Sequence, residues 1–250
     1  MSPLQILSSI EPVAAKSRSV LFHADRIGPA VTLWGNIALA PPSWQHPCHF
    51  FDDSQKTLRW IFVLDILNHC FWPERGKSAW SVLYKGQTFS GYWGLAAALK
   101  RAQESGIPLT EPAFLADIDE EKLGEIFSFH GHGHRNHPAQ EPIPLFLERL
   151  KNLREAGSTM LQEPGTDIEA LLEAARESAQ NLACLVVSHF PSFRDEGSYE
   201  GEKVYFWKRA QIFVSDVFTA FGGKKWGAFR DMDHLTAFAD YKLPQVLRAL

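Results

Sequence analysis

Lys208 and Asp216 interrupt a largely apolar stretch near the C-terminus, in the segment "FWKRAQIFVSDVF". Lys208 and Asp216 are eight residues apart and lie on one face if the segment is a helix, with Ile212 between them. Their neighbours are almost all apolar, so both charges are expected to be partly buried. A buried charge must be paired or used, because its desolvation costs several kcal/mol. The pattern leaves open whether these residues form a structural ion pair or part of a site.

A lone carboxylate stands in apolar surroundings further along the chain, in "LTAFADYKLPQVLRAL". Asp240 lies between Ala239 and Tyr241, where the pattern asks for core residues. An Asp in such a place is most often the solvated end of a helix. Whether this carboxylate has a function depends on which other residues the fold brings to the same place.

The segment "FPSFRDEGSYEG" is polar, contains glycine and precedes the Lys208 stretch. It predicts a loop between rigid helices, where ligand contacts concentrate. Phe193 and Asp195 place a ring and a carboxylate two residues apart within it. Such a pair could stack on a nucleobase and accept hydrogen bonds from its N–H groups. A solvated turn is the alternative.

A further polar pair lies within the most apolar part of the chain, "WIFVLDILN". Asp65 and Asn68 are three residues apart, about one helical turn, so both would lie on one side of a buried helix. Buried polar groups usually satisfy hydrogen-bond partners in the core, and we interpret this pair as structural.

Four histidines are spaced closely in "FHGHGHRNHP", at positions His130, His132, His134 and His137. Imidazoles at short spacing can bind zinc or another transition metal, so a metal hydrolase is one alternative. No rigid element holds an alternating His-Gly segment, however, and no nearby acid or cysteine completes a ligand set. A surface loop and no metal site are therefore predicted. The usual phosphate-loop, dinucleotide and serine-hydrolase motifs are absent from the sequence.

The elements that must position these residues are predicted to be helices. The segment from Ser54 to Trp72 is apolar nearly all round and predicts a central buried helix that stops at Pro73. Further helices are predicted for "SGYWGLAAALKRAQES", "DEEKLGEIF", "PLFLERLKNLREAG" up to Gly157, "TDIEALLEAARESAQNLACLVVSHF", "VYFWKRAQIFVSDVFTAF", "DHLTAFADYKL" and "PQVLRAL".

Two local signals refine this interpretation. Thr166 and Glu169 have the spacing of a capping box, and Pro244 is expected at the first position of the last helix.

Strand signals are thin: "AVTLWGNIAL" and "SVLYKGQTF" predict short strands, a small hairpin or extended connections. With no internal repeat or linker-like stretch, one mostly helical domain is expected over residues 1–250.

Composition narrows the class of protein. The chain has 250 residues, 12% aromatic residues and a net charge of −4, which argues against stable binding to nucleic acid because that needs a basic face. Three scattered cysteines favour reduced thiols. No signal peptide or membrane-spanning run is evident, so a soluble cytoplasmic protein is expected.

Taken in series, several segments resemble the queuosine salvage proteins, the queuosine 5′-phosphate N-glycosylase/hydrolases. The segments extend from about residue 49 to the C-terminus and read "HFFDD", "VLDILNHCFWP", "FSGYWGLAAALKRA", "IPLFLERLKNLREAG", "FPSFRDE", "FWKRAQIFVSD" and "LTAFADYKLPQVLR". The resemblance implies cleavage of the N-glycosidic bond of queuosine 5′-monophosphate, which frees the 7-deazaguanine base queuine for reuse in tRNA modification. It also implies a helical fold similar to helix-hairpin-helix DNA glycosylases and no metal or organic cofactor.

The resemblance also implies roles for particular residues. The Asp of "FADY" and the Lys of "KRAQ" become the catalytic candidates Asp240 and Lys208, with Asp240 stabilising or attacking an oxocarbenium-like sugar. The expected substrate-binding residues are His49, Phe193, Asp195, Asp216 and Tyr241. Within this set the Asp195 carboxylate is expected on the base N–H groups, Phe193 on the ring face, and His49 on the base or its side chain.

Two departures from the family pattern bear on these expectations. His69 stands where an aromatic residue usually follows Asn68. The pattern generally continues beyond "LPQVLR", so its C-terminal part is expected to be short or missing here. A catalytically weak nucleoside- or nucleotide-binding homologue therefore stays open as an alternative, and the similar fold leaves a DNA-repair-like glycosylase open as another.

Overall fold

A computed structural model describes residues 4–21, 23–35, 43–131 and 142–249, and helices dominate it. The first half contains α1 (Leu4–Lys16), α2 (Ile27–Gly35), α3 (Gln55–Ile66), β1 (Ser81–Tyr84), β2 (Gln87–Ser90), α4 (Gly91–Glu104), α5 (Pro112–Asp117) and α6 (Glu120–Phe127). The second half contains α7 (Phe146–Gln162), α8 (Ile168–Ala175), α9 (Ala179–His189), β3 (Glu196–Tyr199), β4 (Glu202–Tyr205), α10 (Lys208–Ala220) and α11 (Lys242–Ala249). The predicted mostly helical class is confirmed.

The strands form two antiparallel hairpins, β1 with β2 and β3 with β4. Of the alternatives left open for "SVLYKGQTF", the hairpin is the one found, and its turn places Lys85 and Gly86 at positive φ, as a two-residue turn with the right twist requires. The second hairpin turns in the same way at Glu200 and Gly201. Sequence analysis missed it, although glycine at the second turn position is its signal.

Helix α3 is the central buried helix, as predicted, and Ser54 caps it by accepting a hydrogen bond from the backbone N–H of Lys56. The prediction that it continues to Trp72 is wrong, because α3 ends at Ile66. The buried guanidinium of Arg149 explains the early end: it donates to the carbonyls of residues 67, 69 and 70, which an α-helix would use internally.

Two other predicted boundaries are wrong for packing reasons. Helix α7 does not stop at Gly157 but continues to Gln162. Gly157 is instead the place where α5 approaches most closely, since a Cβ there would lie 2.3 Å from the backbone nitrogen of Ala116. The stretch predicted as one helix after Thr166 is two helices, α8 and α9, because Arg176 and Glu177 take positive φ between them.

The predicted capping box is also replaced. Asp167 rather than Thr166 caps α8, with its carboxylate accepting from the backbone N–H of Ala170. The Thr166 hydroxyl donates to the carbonyls of Thr159 and Glu163 instead. Thr166 therefore joins the end of α7 to the start of α8.

The C-terminal region differs most from the prediction. Helix α10 begins at Lys208, because the residues before it form β4 and the turn at Trp207, which has φ of 46°. "DHLTAFADYKL" is not a helix: after a short 3-10 turn at Met232–His234 the chain is irregular as far as α11, which begins at Lys242 with Pro244 third.

The irregular conformation of this segment has a physical cause. The buried Gln211 side chain accepts from the backbone N–H of Thr236 at 2.8 Å and donates to its hydroxyl at 2.9 Å. These bonds replace the helical ones and draw the segment across α10. The predicted strand in "AVTLWGNIAL" is likewise wrong where the structure describes it, since α2 includes its residues 30–35.

The core is one contiguous apolar cluster that includes residues from α1 to α10. Its centre is aromatic: Phe62 of α3 contacts Phe190, Phe193 and Phe213 with ring centroids 4.9–5.5 Å apart. None of the described helices is long and apolar enough to cross a membrane. The packed α3 and α10 thus provide a rigid support for the charged residues on their surfaces.

Candidate active site

The ion pair at the start of α10 joins the two candidate catalytic residues. Lys208 Nζ donates to Asp240 Oδ2 at 2.5 Å, which settles the partner of Lys208 in favour of Asp240 over Asp216. Asp240 Oδ1 also accepts from the backbone N–H of Lys242 at 2.9 Å, at the N-terminus of α11. Burial would raise the pKa of Asp240, but these hydrogen bonds outweigh it and lower the pKa below its usual value. Asp240 is therefore an anion at neutral pH.

Asp195 lies against the same end of α10. Both of its carboxylate oxygens accept from the backbone N–H of Lys208, at 2.9 and 3.0 Å. Its backbone carbonyl accepts from Phe206 at 3.0 Å. Burial raises the pKa of Asp195, and the Lys208 N–H opposes that rise. Asp195 therefore places a carboxylate on the backbone N–H of the candidate catalytic residue Lys208, and the helix N-terminus favours that negative charge.

Phe193 lies in the aromatic core below this loop. Its side chain is fully buried, stacked on Phe62 at 5.5 Å and packed by the Arg209 guanidinium at 5.4 Å. Arg209 is held in turn by donating to the carbonyls of Ile66 and Ser192. The ring faces protein in this state of the molecule.

His49 is buried, and both of its ring nitrogens have partners. Nδ1 lies 2.9 Å from the Trp44 carbonyl, which can only accept, so Nδ1 carries the proton. Nε2 then accepts from the Tyr92 hydroxyl at 2.8 Å. Burial lowers the pKa of His49 to about 4, so the imidazole is neutral at physiological pH.

Asp216 lies two turns beyond Lys208 on α10, and α10 packs against α3, which contains the buried Asp65. Burial raises the pKa of Asp216 to about 7. Burial and the charge of Asp216 also raise the pKa of Asp65, whose Oδ1 accepts from Asn68 at 3.3 Å. The charges of both carboxyls act on the Tyr92 hydroxyl and raise its pKa as well, after burial, which is the main cause.

Tyr241 is half-exposed and connects the Asp240 segment to the chain that follows α3. Its hydroxyl accepts from the indole N–H of Trp72, and the two rings meet edge to face at 5.8 Å. Lys242 Nζ lies 5.6 Å from the Trp72 ring. Trp72 thus helps to hold the segment that presents Asp240.

The sequence of the chain agrees with one known family over most of its length. A family profile described as "queuosine salvage protein" matches residues 48–250. The chain belongs to this family.

Six curated relatives carry the name "queuosine 5′-phosphate N-glycosylase/hydrolase", and three of them illustrate the similarity. The protein of Sphaerobacter thermophilus is 40% identical over 247 residues, covering 99% of this chain and 72% of the relative. Those of Nematostella vectensis and Mus musculus are 42% and 37% identical, covering 82% and 98% of this chain. The chain spans between 57% and 72% of the length of these relatives.

In this queuosine salvage protein, the predicted site residues lie in different surroundings. Asp240, Lys208 and Asp195 meet at the N-terminus of α10. Asp216 lies further along that helix, and Tyr92 links its surroundings to His49. Phe193 lies in the core, whereas Tyr241 lies on the surface beside Trp72.

Sequence analysis missed several supporting residues of this family member. Arg209 and Gln211 follow Lys208 in the "KRAQ" segment, and Tyr92 and Trp72 lie in two other matching segments, so their motif positions were the available signal. Pattern alone could not show that Gln211 holds Thr236 or that Tyr92 bonds to His49, since those partners are far apart in sequence.

The predicted absence of a metal site concerns mostly residues outside the described part of the chain. His132, His134 and His137 fall there, and His130 precedes them. Within the described ranges, no group of three or more His, Cys, Asp or Glu side chains is placed to hold a metal ion.

Proposed function

We propose that this chain hydrolyses the N-glycosidic bond of queuosine 5′-phosphate and releases queuine. Family membership supports the reaction, and the Lys208–Asp240 pair is the observation that supports the site. It provides an anion on a segment held by side chains, next to a helix N-terminus and a second carboxylate. The activity needs no metal or organic cofactor.

The chemistry of glycosidic cleavage explains why Asp240 suits this role. The sugar becomes oxocarbenium-like in the transition state, and an ionised carboxylate near C1′ stabilises that charge or attacks it. Lys208 and the Lys242 N–H keep Asp240 ionised and oriented before the substrate binds. Preorganisation of this kind avoids the cost of reorienting groups as the reaction proceeds.

The base must also be stabilised as it leaves, and this requires different residues. A 7-deaza base has carbon at position 7, so protonation there cannot help it to leave as it helps an ordinary purine. We assign Asp195 to the amide and amino N–H groups of the base, because its carboxylate has acceptor capacity beyond the Lys208 bonds. Stacking by Phe193 remains a prediction, and it requires the ring to gain exposure when the substrate binds. Contact between His49 and the base would occur through Tyr92 or the ring face.

The proposal also includes features of the fold, the location and the partners of the protein. They comprise a fold similar to helix-hairpin-helix DNA glycosylases, a single domain over residues 1–250, a cytoplasmic location and no stable binding to nucleic acid. A DNA-repair activity is disfavoured by the net charge of −4, since duplex binding requires cationic contacts with phosphates.

The direct test is a queuine-release assay on the purified chain with queuosine 5′-monophosphate, in parallel with an abasic-site assay on duplex DNA. The proposal predicts release of queuine and no cleavage of DNA. Binding of the nucleotide without release would identify the weak-binding homologue instead. Metal analysis and EDTA treatment during the assay test the alternative of a histidine-bound metal.

A further inference from the structure

Helix α1 lies against the hairpin that leads into the candidate active site. It precedes residues 48–250, which the family profile matches, and it packs along β4. The hairpin has two strands, so among the described residues β4 has one edge without a neighbouring strand. On the helix, Ile6 is buried in the core, and Ser9, about one turn further along, is buried as well. The face of α1 that includes these two residues is therefore turned toward the protein.

The side chain of Ser9 joins α1 to the last residue of β4. Its hydroxyl accepts from the backbone N–H of Tyr205 at 3.1 Å and donates to the carbonyl of Ile6 at 2.7 Å. These two bonds fix both the proton and a lone pair of the hydroxyl. The adjacent Ser8 is exposed, and its hydroxyl donates to the carbonyl of Gln5. The bond from Ser9 thus reaches the hairpin, whereas the bond from Ser8 stays within α1.

Two ion pairs hold the end of α1 at the other end of β4. Lys16, the last residue of the helix, places its Nζ 2.5 Å from Glu202 Oε1. Arg18 pairs with Glu200 in the turn of the hairpin at 3.4 Å. The side chains of both pairs are exposed enough that each pair alone contributes little to stability. Together with Ser9 they attach α1 along the whole length of β4.

The backbone that follows Tyr205 converges on Asp195. The N–H groups of residues 206 and 207 donate to the Asp195 carbonyl at 3.0 and 3.4 Å, and the N–H of Lys208 donates to its carboxylate. Four successive N–H groups are thus held by two residues, the first by Ser9 and the other three by Asp195. Because peptide units are planar, a displacement of the first N–H group moves the units that follow it.

The residue before Lys208 takes an uncommon conformation. Trp207 has φ of 46°, in the left-handed region that residues other than glycine rarely adopt. Its side chain is fully buried, and its ring lies 5.4 Å from that of Tyr205. Such a conformation persists only where the surrounding contacts fix it. The position of Lys208 opposite Asp240 therefore depends on the contacts of residues 205–207.

We propose that Ser9 is a positioning residue for the candidate active site. Its hydrogen bond to Tyr205 fixes the segment that leads into α10, and through that segment it orients Lys208 toward Asp240. Lys16 supports the same segment more weakly from the other end of β4. The inference rests on the proposed function, since Lys208 and Asp240 are the catalytic candidates of that reaction. It extends the support of the site to a helix outside the residues that the family profile matches.

Steady-state kinetics of queuine release from queuosine 5′-monophosphate provide the first test. Ser9→Ala should lower kcat about three- to tenfold, as loss of one buried hydrogen bond does, and change KM by less than about twofold. Ser9→Thr keeps a hydroxyl and should retain at least about half of the wild-type kcat. Ser8→Ala removes the neighbouring exposed hydroxyl and should leave kcat unchanged. A residue with a structural role alone would lower the Tm in Ser9→Ala and leave the kcat of the folded protein unchanged, which would overturn the proposal.

Amide hydrogen exchange measured by NMR tests the positioning without requiring catalysis. In Ser9→Ala, the amides of residues 205–208 should exchange about tenfold faster, whereas those of the central helix α3 should keep their wild-type rates. Unchanged exchange at residues 205–208 in the folded variant would overturn the proposal. If the wild type released no queuine, the proposed function would fail, yet faster local exchange in Ser9→Ala would still support the positioning of Lys208.

Lys16→Met provides a second variant that leaves Ser9 in place. Because it removes an exposed ion pair, the fold should survive. The same changes are expected at a smaller size, with exchange at residues 205–208 faster by about twofold. If Ser9→Ala does not fold, wild-type exchange and wild-type kcat in Lys16→Met would overturn the proposal.

Discussion

At the N-terminal end of α10, hydrogen bonds from Lys208 and the Lys242 N–H lower the pKa of Asp240, whereas two turns along the same helix burial raises the pKa of Asp216 to about 7. One carboxyl is compensated before any ligand arrives, and the other is not. The compensated anion suits a transition state in which positive charge develops. The carboxyl of Asp216, without such compensation, keeps a proton up to a higher pH than an ordinary Asp. Asp240, paired with the first residue of α10, and Asp216, within α10, are thus carboxyls in opposite electrostatic surroundings.

The largest effect is expected at the compensated end. Lys208→Met removes the side chain that orients Asp240 and lowers its pKa, so we expect kcat to fall about 10²-fold. Activity requires ionised Asp240 and is lost as the pH falls through its pKa. The acid limb of the pH–rate profile should therefore move to higher pH in this variant.

The measurement is the pH dependence of queuine release, compared with Lys224→Met, which removes an exposed lysine beyond α10. An unchanged profile in a folded Lys208→Met protein would mean that the ion pair has no part in catalysis.

The second expected effect concerns Asp216 and the pH dependence of the free energy of unfolding. Because the pKa of Asp216 is raised in the folded state, the native protein binds more protons than the unfolded chain between about pH 4 and pH 7. The free energy of unfolding should therefore fall as the pH rises through that window. In Asp216→Asn, the fall in the free energy of unfolding across this pH window should be smaller than in the wild type by about 1–2 kcal/mol. This figure is set below the full effect of the pKa shift because Asp216 is partly exposed.

Urea unfolding at pH 5 and pH 7 measures this slope, with Asp117→Asn as the matched control. The same steep decline in wild type and Asp216→Asn would show that this carboxyl is not responsible.

A smaller effect is expected where the Asp240 segment meets the chain after α3. Trp72→Phe keeps a ring against Tyr241 but removes the indole N–H that bonds to its hydroxyl. Both side chains are substantially exposed, so stability should change by less than about 0.5 kcal/mol. Queuine release should slow by about twofold, which corresponds to the loss of about 0.5 kcal/mol expected for a bond between exposed side chains. A wild-type rate would show that Gln211 and Thr236 hold the segment without Trp72.

The sequence predicts some parts of this molecule well because their causes are local. Helix α3 with its Ser54 cap and the hairpin with its Lys85-Gly86 turn follow from periodicity, capping and turn chemistry. The early end of α3 could not be foreseen, because it depends on Arg149, about 80 residues further along the chain. Tertiary hydrogen bonds thus override propensity at this boundary.

The candidate site, like the fold, could be predicted only in part from the sequence. Lys208 and Asp216 share a face of α10, as spacing predicted, and motif resemblance singled out Asp240. Spacing could not reveal that Lys208 pairs with Asp240, since Gln211 and Thr236 bring that segment across α10. Asp65, interpreted from sequence as structural, has an oxygen without a hydrogen-bond partner among the described residues, which only its three-dimensional surroundings show.

The central claim is that Asp240 acts in the transition state, and steady-state kinetics of Asp240→Asn test it most directly. Asn is nearly isosteric, so the fold should survive, with a Tm within a few degrees of wild type. Loss of one preorganised electrostatic group should lower kcat for queuine release by about 10²–10³-fold with little change in KM. A folded Asp240→Asn protein that releases queuine at a near wild-type rate would contradict the account.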